Sequence, residues 1–247
     1  MFIPRVADGV HLLTHANVNL YLLEDEDGVT VVDAGLPSMW PMLQDALEQL
    51  GRRPDEVRAL VLTHGHFDHV GFARRAQRAW GLPVLVHEGD RRLAAHPYRY
   101  KPQSSRVLYP LLHPRSLPLI GGMALAGALQ VRGVKETRTL AAGTPAPVPG
   151  RPHVIHTPGH TDGHVILHLP DRDAVISADA LVTLDPYTGR TGPQIVASAA
   201  TKDTAQAMAS LDAIASTGAR TVLPGHGGPW QGGAEAAVAH ARRVGEH

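Results

Sequence analysis

A chain of 247 residues with 43% hydrophobic content can bury one large core, and α/β folds of this length are commonly a single domain. Lysine plus arginine equal aspartate plus glutamate at 23 each, which removes any overall pull towards nucleic acid or anionic lipid and favours a small neutral or weakly charged substrate over a polyanion. The absence of cysteine excludes disulfides, thiolate metal ligands and a cysteine nucleophile.

The opening "MFIPRVADGVHLL" has no long apolar segment after its basic residue, so no signal peptide or transit signal is expected and the cytoplasm is the default compartment. "VHLLT", "VNLYLLE" and "GVTVVDAG" have the β-branched, apolar character of strands. "PSMWPMLQDALEQLG" then spaces Met39, Met42, Leu43, Ala46, Leu47 and Leu50 as a helix, with Ser38 as its N-cap and Gly51 as its stop. "VRALVLT" is a buried strand, Val70 to Trp80 a helix, "PVLVH" a strand and "EGDRRLAAH" a short helix. Residues 97 to about 150 break this rhythm and read as a mostly helical insert followed by irregular chain. Three strand-like runs follow, "HVIHTPGH", "GHVILHLP" and "DAVISADA". A helix from Thr204 to Ser216 is expected to bury Met208, Leu211, Ile214 and Ala215. "RTVLPGHGG" is the last strand, and Gly233 to Arg243 the last helix.

The uncharged run "SLPLIGGMALAGALQV" within the insert is shorter than the roughly 18–20 apolar residues a membrane helix needs, and it contains a proline and three glycines. It reads as a buried or lid segment. No membrane or nucleic-acid partner is expected.

The stretch "THGHFDHVG" at the end of the fourth strand-like run, "VRALVLT", places His64, His66, Asp68 and His69 within six positions. Buried polar heads need partners, and histidine nitrogen with carboxylate oxygen is a ligand set for zinc, iron or manganese. His64 and His66 alternate by two, so an extended or turning backbone can aim both at one ion; Asp68 and His69 then serve a second. Three further candidates lie where a strand gives way to a turn: His160 in "HTPGHTDG", Asp179 in "VISADA" and His226 in "VLPGHGG". Singly, each reads as an ordinary loop or cap residue. Their joint occurrence with the histidine-rich stretch points to a metal centre. The other eleven histidines, His164 among them, are assigned by default to satisfied or exposed roles.

This pattern, H-x-H-x-D-H, then H, D and H, resembles the metallo-β-lactamase superfamily over most of the chain, to about Gly228. The resemblance implies an α/β (α+β) four-layer αβ/βα sandwich with a helical insert at about 97–135 covering the active site. It implies that His64, His66 and His160 hold a first metal, Asp68, His69 and His226 a second, and that Asp179 bridges them. The cofactors would be two divalent ions, zinc favoured over iron or manganese, sharing a bridging hydroxide, with Asp68 also orienting it or passing a proton. Asp33 in "VVDAG" is either a partner that fixes a histidine ring or a turn cap.

Among the branches, the chain is most similar to glyoxalase II, although only the residues after His226 would be left for the helical glutathione-binding domain of that branch, so that domain is not expected. The absence of cysteine and the presence of Asp179 argue against antibiotic hydrolysis. Val182 stands where lactone-cleaving relatives carry a tyrosine, with Tyr187 as a substitute from further along the loop. The expected activity is hydrolysis of a thioester, ester or lactone. A mononuclear iron sulfur dioxygenase using His64, His160 and Asp179, or a non-enzymatic metal-dependent binding module, are the alternatives. Tyr98, Tyr100, Tyr109 and the run Leu117 to Leu129 shape a hydrophobic substrate pocket, or else that run forms a homodimer interface.

Overall fold

The computed structural model describes residues 1–105 and 108–247; positions 106 and 107, inside the insert expected at 97–135, lie outside the described residues. The first half builds a seven-stranded sheet from β1 (Phe2–Ala7), β2 (Val10–His15), β3 (Val18–Asp25), β4 (Gly28–Val32), β5 (Val57–Leu62), β6 (Val84–Val86) and β7 (Arg138–Thr139), in that order. β1 to β4 form an antiparallel meander, and β4 to β7 run parallel. Helix α1 (Met39–Gln49) makes the crossover from β4 to β5.

β5 leads into α2 (Phe67–Val70) and α3 (Ala73–Trp80), in place of the single helix expected from Val70 to Trp80. Gly71 divides them. A Cβ there would lie 1.9 Å from the Gly35 carbonyl oxygen, so the chain packs its bare backbone against the turn after β4 and cannot continue the helix. The N-cap expected at Ser38 is also different: Ser38 has helical dihedrals and its side chain makes no cap. The turn before α1 already supplies acceptors, since the Met39 and Trp40 amides donate to the Leu36 and Pro37 carbonyls.

The segment between β6 and β7 carries α4 (Arg91–Ala95), α5 (Leu108–Leu112) and α6 (Leu117–Met123), the last continuing into a π-helical turn at Ala124–Ala128. No helix among the described residues is long and apolar enough to cross a membrane. The second half forms β8 (His153–His156), β9 (Val165–Leu169) and β10 (Ala174–Ala178), a small hairpin of β11 (Val182–Leu184) and β12 (Thr191–Gln194), helix α7 (Thr204–Ala215), β13 (Thr221–Pro224) and helix α8 (Ala234–Val244). The second sheet has the order β13-β10-β9-β8, with β13 parallel to β10 and the other pairs antiparallel.

Strand periodicity explains the layers. On β3, Leu20 and Leu22 face α1 residues Leu43 and Leu47, whereas Tyr21 and Leu23 face the other sheet. On the second sheet, Val165, Leu167, Ala174 and Ile176 meet Tyr21 and Leu23 between the sheets, while Ile166 and Val175 face Leu211 and Ile214 of α7 and Ala237 of α8. Strands covered on both faces are buried throughout and nearly all apolar, as β4 and β10 are; the one hydroxyl in each, on Thr30 and Ser177, donates to the Pro149 and Leu181 carbonyls. The result is the αβ/βα sandwich, with Met208 and Ala215 of α7 only half-buried at its margin.

Topology also determines where polar chemistry can gather. β4 and β5 are parallel in one sheet; β8, β10 and β13 point one way in the other because β9 opposes both β8 and β10. The chain leaving each group of strands at its carboxyl end therefore reaches one edge of its sheet, the usual place for a site in open α/β sheets. The two edges are stitched together by the Val165 amide donating to the Thr63 carbonyl and the Asn19 amide to the Gly225 carbonyl, each at 2.9 Å.

Candidate metal centre

All seven residues predicted as ligands converge at this edge. His64 and His66 follow β5, and Asp68 and His69 lie on α2, whose single turn swings them away from the first two histidines. His160 sits in the β8–β9 loop, Asp179 directly after β10 and His226 two residues after β13. Each is at most 6% exposed. Two separate donor sets result, His64, His66 and His160, and Asp68, His69 and His226, and a third, His64, His69 and Asp179, links them, with the ligand atoms of each set within 4.8 Å of one another.

Asp179 lies between them. Its Oδ2 is 3.4 Å from His160 Nε2 and 3.9 Å from His64 Nε2 on one side, and 3.3 Å from His226 Nε2 on the other; its Oδ1 is 3.4 Å from His69 Nε2. Asp68 Oδ2 is 3.4 Å from His226 Nε2. Two atoms about 2.0–2.1 Å from one tetrahedral ion lie roughly 3.4 Å apart, so most of these separations suit a shared cation. His66 Nδ1 and His160 Nε2 are closer, at 2.9 Å.

The far side of four of the five rings, those of His64, His69, His160 and His226, is already engaged. Thr63 Oγ1 donates to Asp33 Oδ2 (2.8 Å) and so receives the Nδ1 proton of His64 (3.1 Å). Thr201 Oγ1 donates to the Val196 carbonyl and receives the Nδ1 proton of His160 at 3.2 Å. His69 Nδ1 donates to Asp33 Oδ2 at 2.8 Å, and His226 Nδ1 to the Asn17 carbonyl at 2.7 Å. These bonds direct the Nε2 atoms inward, and His64 Nε2, His69 Nε2 and Asp179 Oδ1 make no hydrogen bond although buried. Buried ring nitrogens and a carboxylate oxygen that converge without hydrogen bonds are what a cation site provides, so the donor set fits divalent metal.

The charges agree with this reading. Burial holds His64 well below the usual imidazole range, with the charge of His69 adding to the effect, and burial together with His66 pushes His160 down to about 3. At His226 burial also opposes charge, but the Asp179 and Asp68 carboxylates outweigh it and hold the ring up at about 10. At His69 burial is likewise outweighed, by Asp179 and Asp33. Asp179, which burial alone would raise, is held well below the usual carboxylate range by His226 and His69. Without metal, two imidazolium rings therefore balance the acidic side of the centre.

Several supporting residues carry no signal in the sequence. Asp90, buried before α4, accepts from the Gly65 amide at 2.8 Å, from Thr161 Oγ1 at 2.7 Å and from the Gly163 amide at 2.7 Å, tying the His64–His66 loop to the His160 loop. His164 is outside both donor sets, yet its Nε2 accepts the Asp179 amide at 3.2 Å while Nδ1 donates to Thr157 Oγ1 at 2.9 Å. Ala178, at φ 45°, supplies the left-handed turn that aims Asp179 off the end of β10. Gly225 leaves room for it, because a Cβ there would meet Asp179 Oδ1 at 2.1 Å. Asn19 Nδ2 fastens the His226 loop through the Pro224 and Gly227 carbonyls at 2.8 and 2.7 Å. Asp33 bonds His69, which is the ring-fixing role considered for it; its Oδ1 accepts the Thr63 amide at 2.8 Å from the end of another strand, rather than capping its own turn.

The four tyrosines separate. Tyr98 stacks on Phe67 with ring centroids 5.7 Å apart, and its hydroxyl donates to the Ala128 carbonyl and accepts the Val131 amide. Tyr98 and Tyr187 line an apolar cavity of about 180 Å³ with Phe67, Ile120, Met123 and Ala124. Tyr100 instead packs its ring against His66, tilted by 34° with centroids 4.0 Å apart. Tyr109 lines neither this cavity nor the one beside His66, and its ring rests on His113 at 4.6 Å.

Comparison with known proteins adds an independent line. Residues 13–226 match the family model of the metallo-beta-lactamase superfamily. The chain is 26% identical over 240 residues to a probable metallo-hydrolase, YflN, of Bacillus subtilis (strain 168), covering 92% of this chain and 87% of that protein. It is also similar to two solved structures. The metallo-beta-lactamase family protein TTHA1429 from Thermus thermophilus is 26% identical with a TM-score of 0.67, covering 96% of this chain and 78% of that one. TTHA1623, solved in a di-iron-bound form, is 27% identical with a TM-score of 0.63, covering 91% and 95%.

Proposed function

The chain belongs to the metallo-β-lactamase superfamily, and from that premise we propose that it is a binuclear metal-dependent hydrolase of a thioester, ester or lactone carbonyl. The observation that carries the reading is the position of Asp179, with one carboxylate oxygen near His160 and His226 and the other near His69, between two complete three-residue donor sets. His64, His66 and His160 would hold one ion, Asp68, His69 and His226 the other, and Asp179 both. Zinc suits the nitrogen and oxygen donors; the di-iron form of TTHA1623 keeps iron beside it. Such a pair of ions supplies a nucleophile at neutral pH by lowering the pKa of water and polarises the substrate carbonyl.

The chain's own residues supply orientation and proton handling. The Asp33, Thr63, Thr201 and Asn17 contacts set the tautomers of His69, His64, His160 and His226. Asp68 is buried and accepts no backbone amide among the described residues, leaving its carboxylate available to hold a proton and return it to the leaving group. The cavity of Phe67, Tyr98, Met123 and Tyr187, walled by the insert, offers an apolar acyl group a place that excludes water beside the donor sets. A small-molecule substrate is the partner this arrangement suits.

The test is the metal content per chain of gently purified protein, with Asp179→Ala as control, followed by an ester, thioester and lactone panel. About two zinc or iron ions, fewer in the control, together with turnover, sustain the proposal. A single iron with oxygen consumption replaces it by the mononuclear oxygenase, and a metal-loaded protein without turnover on the panel leaves only a binding module.

A further inference from the structure

His66, just before α2, and Phe67, its first residue, line two different cavities. Phe67 lines the apolar one, which has no charged lining residue; His66, together with His160, forms part of another of about 350 Å³ on the other side. That second cavity is cationic, lined by Arg92 on α4, Arg99, Lys101 and Lys202. Lys202 Nζ is already held by both oxygens of Asp162 at 2.6 Å. Asp90, the other acid in the lining, is buried and committed to the Gly65 and Gly163 amides and Thr161. Arg92, Arg99 and Lys101 make no ion pair among the described residues. Three cations without an ion pair thus open onto the His66 and His160 side of the centre, against the single carboxylate of Asp90, in a chain whose total charge is balanced at 23 against 23. Composition favours an uncharged substrate; the local distribution does not.

We propose that this cavity binds an oxyanion of the substrate, a carboxylate or phosphate, so that the substrate is an amphipathic thioester or ester with an apolar arm in the Phe67–Tyr98 cavity and an anionic arm among Arg92, Arg99 and Lys101. The inference rests on the hydrolase reading above and adds the substrate class to it. Guanidinium groups bind planar oxyanions with paired, charge-assisted hydrogen bonds, and Tyr100, its ring packed against His66 with centroids 4.0 Å apart, anchors the segment that carries Arg99 and Lys101. Because all three cations are exposed, the selectivity they give depends on salt.

The experiment uses metal-loaded protein and three thioesters of one apolar acid, whose thiol ends in a carboxylate, a phosphate monoester or a carboxamide, with a parallel set placing the group on the acyl side. A charged member is expected to exceed the carboxamide by about tenfold or more in kcat/KM at low salt, the effect of one good charge-assisted contact. That ratio shrinks towards about 1 M salt, where the screening length is about 3 Å. It approaches one in Arg92→Gln/Arg99→Gln/Lys101→Gln and is intermediate in Arg99→Gln. Which charged member leads distinguishes carboxylate from phosphate. Equal kcat/KM for charged and uncharged members in the unaltered protein, or a preference that survives the triple substitution, overturns the proposal. If nothing is hydrolysed, non-cleavable amide analogues are titrated instead. A charge-dependent Kd then keeps the anion site while the hydrolase reading fails, and equal Kd values remove the anion site.

Discussion

Asp33 Oδ2 accepts the Nδ1 proton of His69 at 2.8 Å, while the same carboxylate takes the Thr63 amide and hydroxyl, each at 2.8 Å. One side chain at the end of β4 thereby orients a candidate ligand on α2 and, through Thr63, a second after β5. Asp33→Ala removes the acceptor and leaves His69 free to rotate or change tautomer. The expected outcome is metal binding weaker by about 10–100-fold, the usual cost of losing such a partner, with circular dichroism unchanged. Competition with a chromogenic chelator measures it, and an affinity equal to that of the unaltered protein would contradict the role assigned to Asp33.

Charge balance in the metal-free centre predicts a proton signature. His226 titrates at about 10 and His69 well above its usual range, so at pH 7 both rings are protonated when no metal is bound. A ring must surrender its Nε2 proton to become a ligand, so uptake of two ions should release about two protons or more. Affinity should accordingly strengthen as pH rises from 7 towards about 10, where His226 loses its proton unaided. Calorimetric titration in two buffers of different ionisation enthalpy counts the protons. A heat independent of buffer would show that these rings are already neutral.

Asp90 joins the loops of His66 and His160 through three hydrogen bonds. Burial alone raises its carboxyl, and the Thr161, Gly163 and Gly65 donors work against that rise. Asp90→Ala would strand those donors where they have little access to water, at a cost of about 1–3 kcal/mol for each group that finds no replacement. A total loss of ~3 kcal/mol or more is expected in the denaturant midpoint, accompanied by weaker metal binding as the loops separate. Asp90→Asn, which keeps the shape and one acceptor, should lose less. Equal stability of the three proteins would mean that water replaces the carboxylate.

How far the sequence revealed this arrangement depends on the length scale of each feature. His64, His66, Asp68 and His69 were legible because they occupy six positions, and the long alternating or helical runs gave most strands together with α1, α7 and α8. His160, Asp179 and His226 stood out only in combination with them. Asp90 was invisible because two of its three partners are backbone amides, at Gly65 and Gly163, which only the tertiary fold delivers. The break at Gly71 was hidden because the helical pattern runs through it, and the obstacle is the Gly35 carbonyl from another loop. β7, β11 and β12 have two to four residues, too few for an alternation to register. β1, at the sheet edge and only half covered, has Pro4 and Arg5 at its centre and lacks an apolar alternation.

Ala124 gives access to the acyl arm without touching the metal centre. It lies in the π-helical turn, half-buried, and lines the cavity of about 180 Å³ opposite Phe67 and Tyr98. Tyr98 holds that turn in place, since its hydroxyl bonds both the Ala128 carbonyl and the Val131 amide, at 2.7 and 2.8 Å. A phenyl ring at 124 would occupy space proposed for substrate, whereas a small acyl group would still fit. In a homologous thioester series, Ala124→Phe should therefore lower kcat/KM for long acyl chains by about tenfold or more while sparing acetyl, since each buried methylene contributes about 0.8 kcal/mol and two or more would be excluded. Metal content should not change. A uniform loss across the series would locate the acyl group elsewhere, and an altered oligomeric mass without a change in chain-length preference would assign the insert to a subunit interface instead.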